Sequence, residues 1–404
     1  MKKIALFIFL NALLYASFSG TIIDKKTSKP IYKAMIMDST HFVKSNKNGK
    51  FKILSSEKKY HIKAYGYRPF AFNSDSNTTI FKLEPIRVKA LYLTFWGASN
   101  HSKTLKNMLK IIDNSKINSV VVDVKNEYGS TMYLTSCKKA NACGAQEQRT
   151  NRNIQKFMKM MKKRKVYTIA RIVAFKDEIQ ASHNPYYAIK NEKGKLWRNS
   201  DNMAWVDPFS KKAQNYILDI AEDAAKVGFD EINFDYIRFP AKANLRFSKL
   251  NTQKNRIEAI GDFIDLAKKR LRKYGVFISV NIYGNVCWSK DDNNIGQTIQ
   301  SLAKHADYLA PMLYPSSFAS GSFNLKYPSN HPYIVVYRSI KHIQNKIDSS
   351  RVRPWIQYFK DYTKRRRNYK RFEVREQIRG ADNANTNGWM VWSPSSRYHL
   401  NYFR

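Results

Sequence analysis

The residues best placed to do chemistry in this sequence lie in the stretch 228–240, Gly-Phe-Asp-Glu-Ile-Asn-Phe-Asp-Tyr-Ile-Arg-Phe-Pro. Asn233 and Asp235 are two residues apart, so in a β-strand their side chains lie on the same face. That face is the inner one if Ile232 and Phe234 pack against helices. A carboxylate buried at a strand end costs free energy unless it is paired or functional. We therefore predict that Asp235 is catalytic and that Asn233 contacts the substrate.

The neighbours of Asp235 leave two interpretations open. Arg238 can contact the substrate beside Asp235, or it can form a buried ion pair with Asp235 that shapes the loop. Glu231 is predicted to alternate away from Asp235 and to face a helix.

Polar and aromatic side chains also stand at the ends of the other predicted strands. Aromatic rings stack on the apolar faces of sugar rings, while carboxylates and amides bind sugar hydroxyls. Their coincidence at strand ends therefore predicts a carbohydrate site. The further candidates for substrate binding are Glu127, Arg171, Lys176, Asp177, Asn281, Tyr283, Tyr314, Trp355, Gln357 and Trp392.

The elements that position these residues read as an α/β barrel. From residue 88, apolar strand-like runs alternate with amphipathic segments, and nearly continuous apolar runs are typical of buried parallel strands. About eight strand–helix units predict a (β/α)8 TIM barrel over residues 87–404, with the site at the carboxyl ends of its strands. An open doubly wound sheet is the alternative, but no Gly-rich phosphate loop follows the first strand. The predicted strands are Ala90–Phe95, Ser119–Val124, Val166–Val173, Glu231–Tyr236, Val276–Ile282, Tyr308–Leu313, Arg353–Tyr358 and Gly388–Trp392.

Residues 20–86 predict a separate small all-β sandwich domain. Short alternating runs are separated by turn residues, and Asn48-Gly49 is a strong hairpin signal. The pattern Lys29-Pro30-Ile31, Asn48-Gly49-Lys50-Phe51 and Ala64-Tyr65-Gly66-Tyr67 resembles the carboxypeptidase regulatory-like domain. That resemblance implies a structural or adhesive role.

The second part of the chain is similar to the putative glycosyl hydrolase domain, a family classed with the TIM-barrel glycoside hydrolases. The resemblance implies hydrolysis of glycosidic bonds. It rests on matches in chain order at Val122–Lys125, Ala170–Val173, Phe175–Asp177, Trp205–Pro208, Phe234–Pro240, Pro311–Pro315, Pro354–Gln357 and Gly388–Trp392.

Three positions depart from what the resemblance leads us to expect. Asn126 stands where the family tends to have an acidic residue, and Glu127 follows it. Asn281 is an amide near the end of the fifth strand, where an acid is usual. The fourth strand is similar to a chitinase pattern, but Ile237 occupies the position of the catalytic Glu. A chitinase mechanism that uses that acid is therefore excluded.

Glycoside hydrolysis usually needs two carboxyl groups across the scissile bond. We assign one role to Asp235. The candidates for the second are Asp123, Glu127 and Asp177, and Asp123 is preferred because it lies at a strand end. The alternatives are a non-catalytic carbohydrate-binding barrel, which the amide at Asn281 favours, and a structural envelope protein.

Residues 1–19 read as a signal peptide, with Lys2 and Lys3 before the apolar stretch 4–14 and small residues near a cleavage point at Ser19. We therefore expect a periplasmic or secreted protein. In an oxidising compartment Cys137 and Cys143 could close a small loop by a disulfide. They lack the further ligands that zinc needs, and no metal or cofactor is expected.

The chain carries 71 Lys and Arg against 31 Asp and Glu, a net charge of +40. Such a balance favours acidic partners, and an anionic polysaccharide is one candidate. The charge is spread over the chain, however, and a proteome that is basic as a whole is the simpler explanation. We find no nucleic-acid-binding motif and no apolar run beyond the N-terminus that could span a bilayer.

Overall fold

The computed structural model describes residues 17–55, 57–74, 78–363 and 366–404. Of the predicted signal peptide, residues 1–16 lie outside the described residues. Its last three residues are described, and they belong to the first strand, which begins at Ser17. The expected boundary after residue 19 therefore falls inside a strand.

The N-terminal domain is an all-β sandwich, as the sequence predicts. One sheet has three strands and the order β4-β1-β7, and the other is antiparallel with the order β3-β2-β5-β6. The sheets enclose an apolar core that contains Ile22, Phe51, Tyr60 and Phe81. The strands are β1 Ser17–Asp24, β2 Met35–Met37, β3 Phe42–Lys44, β4 Lys50–Leu54, β5 Lys59–Lys63, β6 Phe70–Asn73 and β7 Ile80–Leu83.

The second domain is a (β/α)8 barrel. Its eight strands run parallel in the order β13-β12-β11-β10-β9-β8-β15-β14. Parallel bridges from Leu309 to Val352 and from Met312 to Trp355 join β13 to β14 and close the barrel. The strands are β8 Val88–Leu93, β9 Ser119–Lys125, β10 Tyr167–Val173, β11 Glu231–Asp235, β12 Phe277–Ile282, β13 Tyr308–Pro311, β14 Trp355–Gln357 and β15 Gly388–Trp392.

Nine α-helices are found among the described residues, all in the second domain. Six of them have a Ser, Thr, Asn or Asp at the N-cap whose side chain accepts a hydrogen bond from the first turn. The helices are α1 Lys103–Asp113, α2 Lys138–Ala142, α3 Ile154–Lys163, α4 Glu178–His183, α5 Lys211–Val227, α6 Gln253–Leu271, α7 Ile299–His305, α8 Pro332–Ile343 and α9 Arg371–Asn383. None of the helices in the described ranges is long and apolar enough to cross a membrane.

The two faces of the barrel strands pack against different surroundings. Ile232 and Phe234 belong to the core between strands and helices. Asn233 and Asp235 therefore point inward, as predicted. The prediction that Glu231 faces a helix is wrong, because residues four apart on a strand share a face. Glu231 is buried inside the barrel, where it pairs with Arg353 at 2.8 Å.

The sandwich packs against the amino-terminal end of the barrel, opposite the end where the site is expected. Lys63 from β5 forms a buried ion pair with Asp307, at 3.0 Å, just before β13. The backbone N–H of Gly66 donates to the Tyr308 hydroxyl at 3.0 Å. The three cysteines are free thiols, so the structure does not contain the disulfide that Cys137 and Cys143 could form.

Candidate active site

A cleft of about 300 Å³ lies at the carboxyl ends of the barrel strands. This is the end where barrel enzymes carry their sites. Most of the candidate residues line it, and they come from the carboxyl ends of several strands or from the loops that follow them. The lining residues are Glu127, Arg171, Asp235, Tyr236, Arg238, Asn281, Tyr283, Met312, Tyr314, Ser317, Trp355, Tyr362 and Trp392.

Arg171 is the centre of the charged part of this cleft. It stands near the end of β10 and is 1 % exposed. Its guanidinium contacts three carboxylates: Asp123 at 2.6 Å, Glu127 at 2.7 Å and Asp235 at 2.7 Å. Although burial opposes the charge, these carboxylates hold the pKa of Arg171 well above its ordinary value. The guanidinium therefore stays charged and fixes the three acids around one point.

Asp123 lies behind Arg171 and does not line the cleft. Its Oδ1 accepts from Arg171, and its Oδ2 accepts from the Tyr92 hydroxyl. Burial raises the pKa of Asp123 to about 6, and the Arg171 charge offsets this effect only in part. With 3 % of its side chain exposed, Asp123 is placed to orient Arg171 and not to touch a substrate.

Glu127 lies in the turn that follows β9, and its carboxylate reaches the cleft. Its side chain is 29 % exposed. The turn that presents it is held by the Asn126 side chain, which accepts from the backbone N–H groups of Tyr128 and Ser130. Burial acts to raise the pKa of Glu127, but the Arg171 guanidinium outweighs burial and holds it below the ordinary value. The acid expected at position 126 is thus replaced by an amide that shapes the turn.

Asp235 ends β11 at the floor of the cleft. Its Oδ2 accepts from Arg171 Nε at 2.8 Å, and its Oδ1 accepts from the backbone N–H of Tyr236 at 2.7 Å. Tyr236 has a φ of +47°, a left-handed conformation that is uncommon for a residue with a bulky side chain. Backbone strain of this kind is concentrated at functional sites, where it helps to fix a side chain. The side-chain orientation of Asp235 is therefore set from both sides.

The alternative of an Asp235–Arg238 ion pair is not what the structure shows. Arg238 stacks on the rings of Trp205 and Tyr236, at 5.0 Å and 5.4 Å from their centroids. Its Nη1 donates to the backbone carbonyl of Phe239 at 3.1 Å. In the part of the chain that the structure describes, no carboxylate lies within 4.0 Å of it. Arg238 is thus a half-buried cation on the cleft wall without an acidic partner.

The rest of the cleft lining consists mainly of aromatic side chains and the Asn281 amide. Trp355 donates from Nε1 to the Asn281 Oδ1 at 2.8 Å, which fixes both side chains at the floor. Trp392 packs edge-to-face on Trp355, with ring centroids 5.5 Å apart. Tyr283 is 42 % exposed at the rim. Burial and the nearby Asp235 carboxylate raise the pKa of Tyr314 well above its ordinary value, so its hydroxyl stays protonated.

Besides Asp123, four of the candidate residues lie outside the cleft. Asn233 is buried one layer below it and donates to the Ser279 hydroxyl at 2.8 Å. Lys176 pairs with Asp201 at 3.0 Å. Asp177 caps α4 and forms a buried ion pair with Lys125 at 2.8 Å. Gln357 accepts hydrogen bonds from Ser316 and holds the loop after β13.

Several lining residues were missed by the sequence prediction. They are Tyr236, Met312, Ser317 and Tyr362. The hydroxyl groups of Ser317 and Tyr362 are hydrogen-bonded to each other at 2.7 Å. No group of three or more His, Cys, Asp or Glu suited to a metal ion occurs among the described residues. In the cleft, the Arg171 guanidinium takes the position between the three carboxylates.

A comparison with protein-family models matches residues 90–398 to the putative glycosyl hydrolase domain. The chain belongs to this family. The match covers the barrel from β8 to the segment after β15, so it includes every residue of the cleft. A search of curated proteins finds no match.

A solved structure supports the same fold. The glycoside hydrolase domain of PgaB (BpsB) from Bordetella bronchiseptica is 12 % identical, with a TM-score of 0.54 over 77 % of this chain and 95 % of that chain. This likeness shows the barrel fold. A hypothetical protein from Ruminiclostridium thermocellum is 32 % identical over 47 % of this chain and 96 % of that chain, with a TM-score of 0.42.

Proposed function

We propose that the protein hydrolyses glycosidic bonds of an extracellular or cell-envelope polysaccharide, with Asp235 and Glu127 as its two acting carboxyl groups. The observation that carries this proposal is that both acids reach the cleft from different strands and share one guanidinium nitrogen. The aromatic wall of Trp355, Trp392 and Tyr283 suits the apolar faces of sugar rings. The extracellular location rests on the pattern of residues 1–19.

The spacing of the two acids favours retention of anomeric configuration. Glu127 Oε1 and Asp235 Oδ2 each lie 2.7 Å from Arg171 Nη2, so they cannot be further apart than twice that distance. Retaining enzymes hold their carboxyl groups about 5–5.5 Å apart, and inverting enzymes about 6.5–9.5 Å. In this scheme Asp235 attacks the anomeric carbon, and Glu127 protonates the leaving oxygen and later activates water.

The assignment replaces Asp123 by Glu127 as the second acid. Asp123 is buried behind Arg171, so it acts as a positioning residue. Because the Arg171 guanidinium holds the pKa of Glu127 below its ordinary value, the protonated form of Glu127 is scarce at neutral pH. Hydrolysis is therefore expected to be faster on the acidic side of neutrality.

Arg238 supports an acidic glycan as the substrate class. Its guanidinium lines the cleft, lies against the Trp205 and Tyr236 rings, and has no carboxylate of the described chain within 4.0 Å. A guanidinium binds a carboxylate or sulfate through two parallel hydrogen bonds. A uronic acid or sulfated sugar next to the scissile bond would supply that group.

The test is release of reducing ends from a panel of neutral and acidic polysaccharides by the full chain. Asp235→Asn and Glu127→Gln should each reduce the rate by about a hundredfold or more. The control is Asp113→Asn, because Asp113 is a carboxylate on α1, 43 % exposed, and paired with Arg164 away from the cleft. The control should retain the wild-type rate.

Two further readouts separate the roles of the two acids. An aryl glycoside with a good leaving group needs little protonation, so Glu127→Gln should release about one equivalent of phenol in a fast burst and then turn over slowly, because the second step still lacks its base. Asp235→Asn should show no burst. The first-formed product should keep the anomeric configuration of the substrate. Equal rates for Asp235→Asn and wild type would refute the catalytic role, and an inverted product would refute the pairing with Glu127.

A carbohydrate-binding barrel without turnover is the second candidate. The observation in its favour is that Arg171 already binds all three carboxylates of the site. Saturable binding of a glycan by the wild type with no hydrolysis at any pH, lost on Trp355→Ala, would establish it in place of the hydrolase.

A further inference from the structure

A second cavity, of about 360 Å³, lies between the sandwich and the amino-terminal end of the barrel. It is at the opposite end of the barrel from the cleft. Strands β2, β3 and β5 form one side, and α6, α7 and the start of β12 form the other. Six cationic side chains and a single carboxylate, Asp307, line it; the cations are Lys44, Lys63, Lys268, Arg272, Lys304 and Arg351.

The carboxylates near this cavity are already occupied. Asp307 Oδ2 accepts from Lys63 Nζ at 3.0 Å and from the backbone N–H of Ile278 at 2.9 Å. Burial would raise the pKa of Asp307, but Lys63 and Lys268 hold it below its ordinary value. Asp265, the other acid near Lys268, contacts His305 at 2.9 Å and is itself more than half exposed.

The two arginines are held by neutral groups, so their charges remain. Arg351 donates to the backbone carbonyls of Ala303, Ala306 and Asp307, and it stacks on the Tyr65 ring at 4.8 Å. Arg272 donates to the Thr40 carbonyl. Carbonyl oxygens fix the orientation of a guanidinium but do not cancel its charge.

Lys268 is the least satisfied of these cations. It is half-buried on α6, and no ion pair of Lys268 occurs within the described ranges. Burial lowers its pKa, and the neighbouring Lys63 charge adds to this effect, while Asp307 opposes it. An ammonium group that is partly desolvated and faces other cations is stabilised by a bound anion.

We propose that this interdomain cavity binds a phosphate-type anion, either a diphosphate or a phosphate ester on a small organic group. Several converging Lys and Arg side chains match the two or more charges and the many acceptor oxygens of such a group. The cavity also has an apolar wall that includes Met37, Leu271 and Ile278, which suits the organic part of an ester.

A bound anion would connect the two domains. Lys44 and Lys63 reach it from the sandwich, and Lys268 and Lys304 reach it from the barrel. One multivalent ligand would thus hold both domains together, independently of any chemistry in the cleft.

The test is binding of inorganic pyrophosphate to the full chain, measured by calorimetry and by the rise in Tm at constant ionic strength. Lys268→Met should weaken binding tenfold or more, and pyrophosphate should no longer raise its Tm. Its Tm without ligand should stay close to that of the wild type, because the variant loses both the desolvation cost of the half-buried ammonium group and its attraction to Asp307. Lys269→Met is the matched control, since Lys269 is exposed on the same helix and does not line the cavity.

Vesicles separate the two possible sources of the phosphate group. The protein is sedimented with phosphatidylcholine vesicles that contain phosphatidic acid. If the wild type and Lys269→Met sediment with the vesicles and Lys268→Met does not, the ligand is a lipid headgroup. If pyrophosphate binding depends on Lys268 and the protein does not bind the vesicles, the ligand is a soluble phosphate compound. Equal pyrophosphate affinity in Lys268→Met and Lys269→Met would overturn the proposal. Hydrolysis in the cleft should be the same in both variants, so the result does not depend on the proposed function.

Discussion

Replacement of Arg171 by Met is the sharpest perturbation that the structure offers. It removes one guanidinium that is 1 % exposed and contacts Asp123, Glu127 and Asp235. Met fills the space of the aliphatic stem of Arg171 and leaves the position of the guanidinium open to water from the cleft. The dominant effect is therefore electrostatic: three carboxylates remain close together without a counter-charge, and two of them have less than a tenth of their side chain exposed.

The magnitude follows from the cost of an unpaired buried charge. Removing one partner of a buried ion pair costs about 3–5 kcal/mol of folding free energy. The carboxylates of the variant can reduce this cost by taking up protons, which raises their folded-state pKa values above the unfolded ones. Stability from such groups is full below the unfolded pKa and is lost as pH rises through the folded pKa, with a slope of about 1.4 kcal/mol per pH unit for each proton.

We therefore expect Arg171→Met to lose about 3–5 kcal/mol at pH 7.5 and less than half of that at pH 5. Urea unfolding followed by tryptophan fluorescence is the assay. All seven tryptophans lie at or after residue 96, so the signal reports on the barrel and not on the sandwich. The control is Arg164→Met, which breaks an exposed ion pair with Asp113 and should cost less than about 1 kcal/mol.

Two results would refute this reasoning. One is a loss for Arg171→Met no larger than that for Arg164→Met. The other is a loss of the same size at both pH values, since that would indicate a packing defect in place of unpaired charge.

Two further predictions concern the same cleft. Asp123 has a pKa raised to about 6, so its contribution to stability is full below about pH 4 and is lost as pH rises to 6. The wild-type free energy of unfolding should therefore fall by about 3 kcal/mol between pH 4 and 7 through this group, and Asp123→Asn should lack that fall in urea unfolding. A fall of the same size in the variant would show that another group causes it. Arg238→Met should raise KM for an acidic glycan about tenfold or more and leave a neutral glycan unchanged; an equal effect on both would remove the case for an anionic substrate.

The strands of the barrel could be predicted because short runs rich in apolar residues alternate with amphipathic segments, and all eight strands lie at those runs. Helix α8 was not predicted. Its sequence, Pro-Tyr-Ile-Val-Val-Tyr, is rich in β-branched and aromatic residues, which are typical of strands. Tertiary packing decides the outcome, since Val335, Val336 and Ile340 form one buried helical face.

The sequence predicts where the site lies but not which cation pairs with Asp235. The sequence offered Arg238, three residues away, as one possible partner of Asp235. The partner in the structure, Arg171, comes from the adjacent strand β10 and is distant in sequence. The available signal was a cation in the middle of the apolar run Thr-Ile-Ala-Arg-Ile-Val, which must find a buried partner. Sequence also cannot tell which of Asp123 and Glu127 reaches the cleft, because that depends on a turn of four residues after β9.

The interior of this barrel has a consequence for how the sequence can change. Among the apolar side chains that pack inside it, polar groups pair at successive levels, from Glu231 with Arg353 through Asn233 with Ser279 to the acids around Arg171. A single substitution at any level leaves a buried partner unsatisfied, which costs more than losing both members together. Relatives that keep the fold with a different interior should therefore differ at both members of a level, and aligned sequences of the family should show these pairs as correlated substitutions.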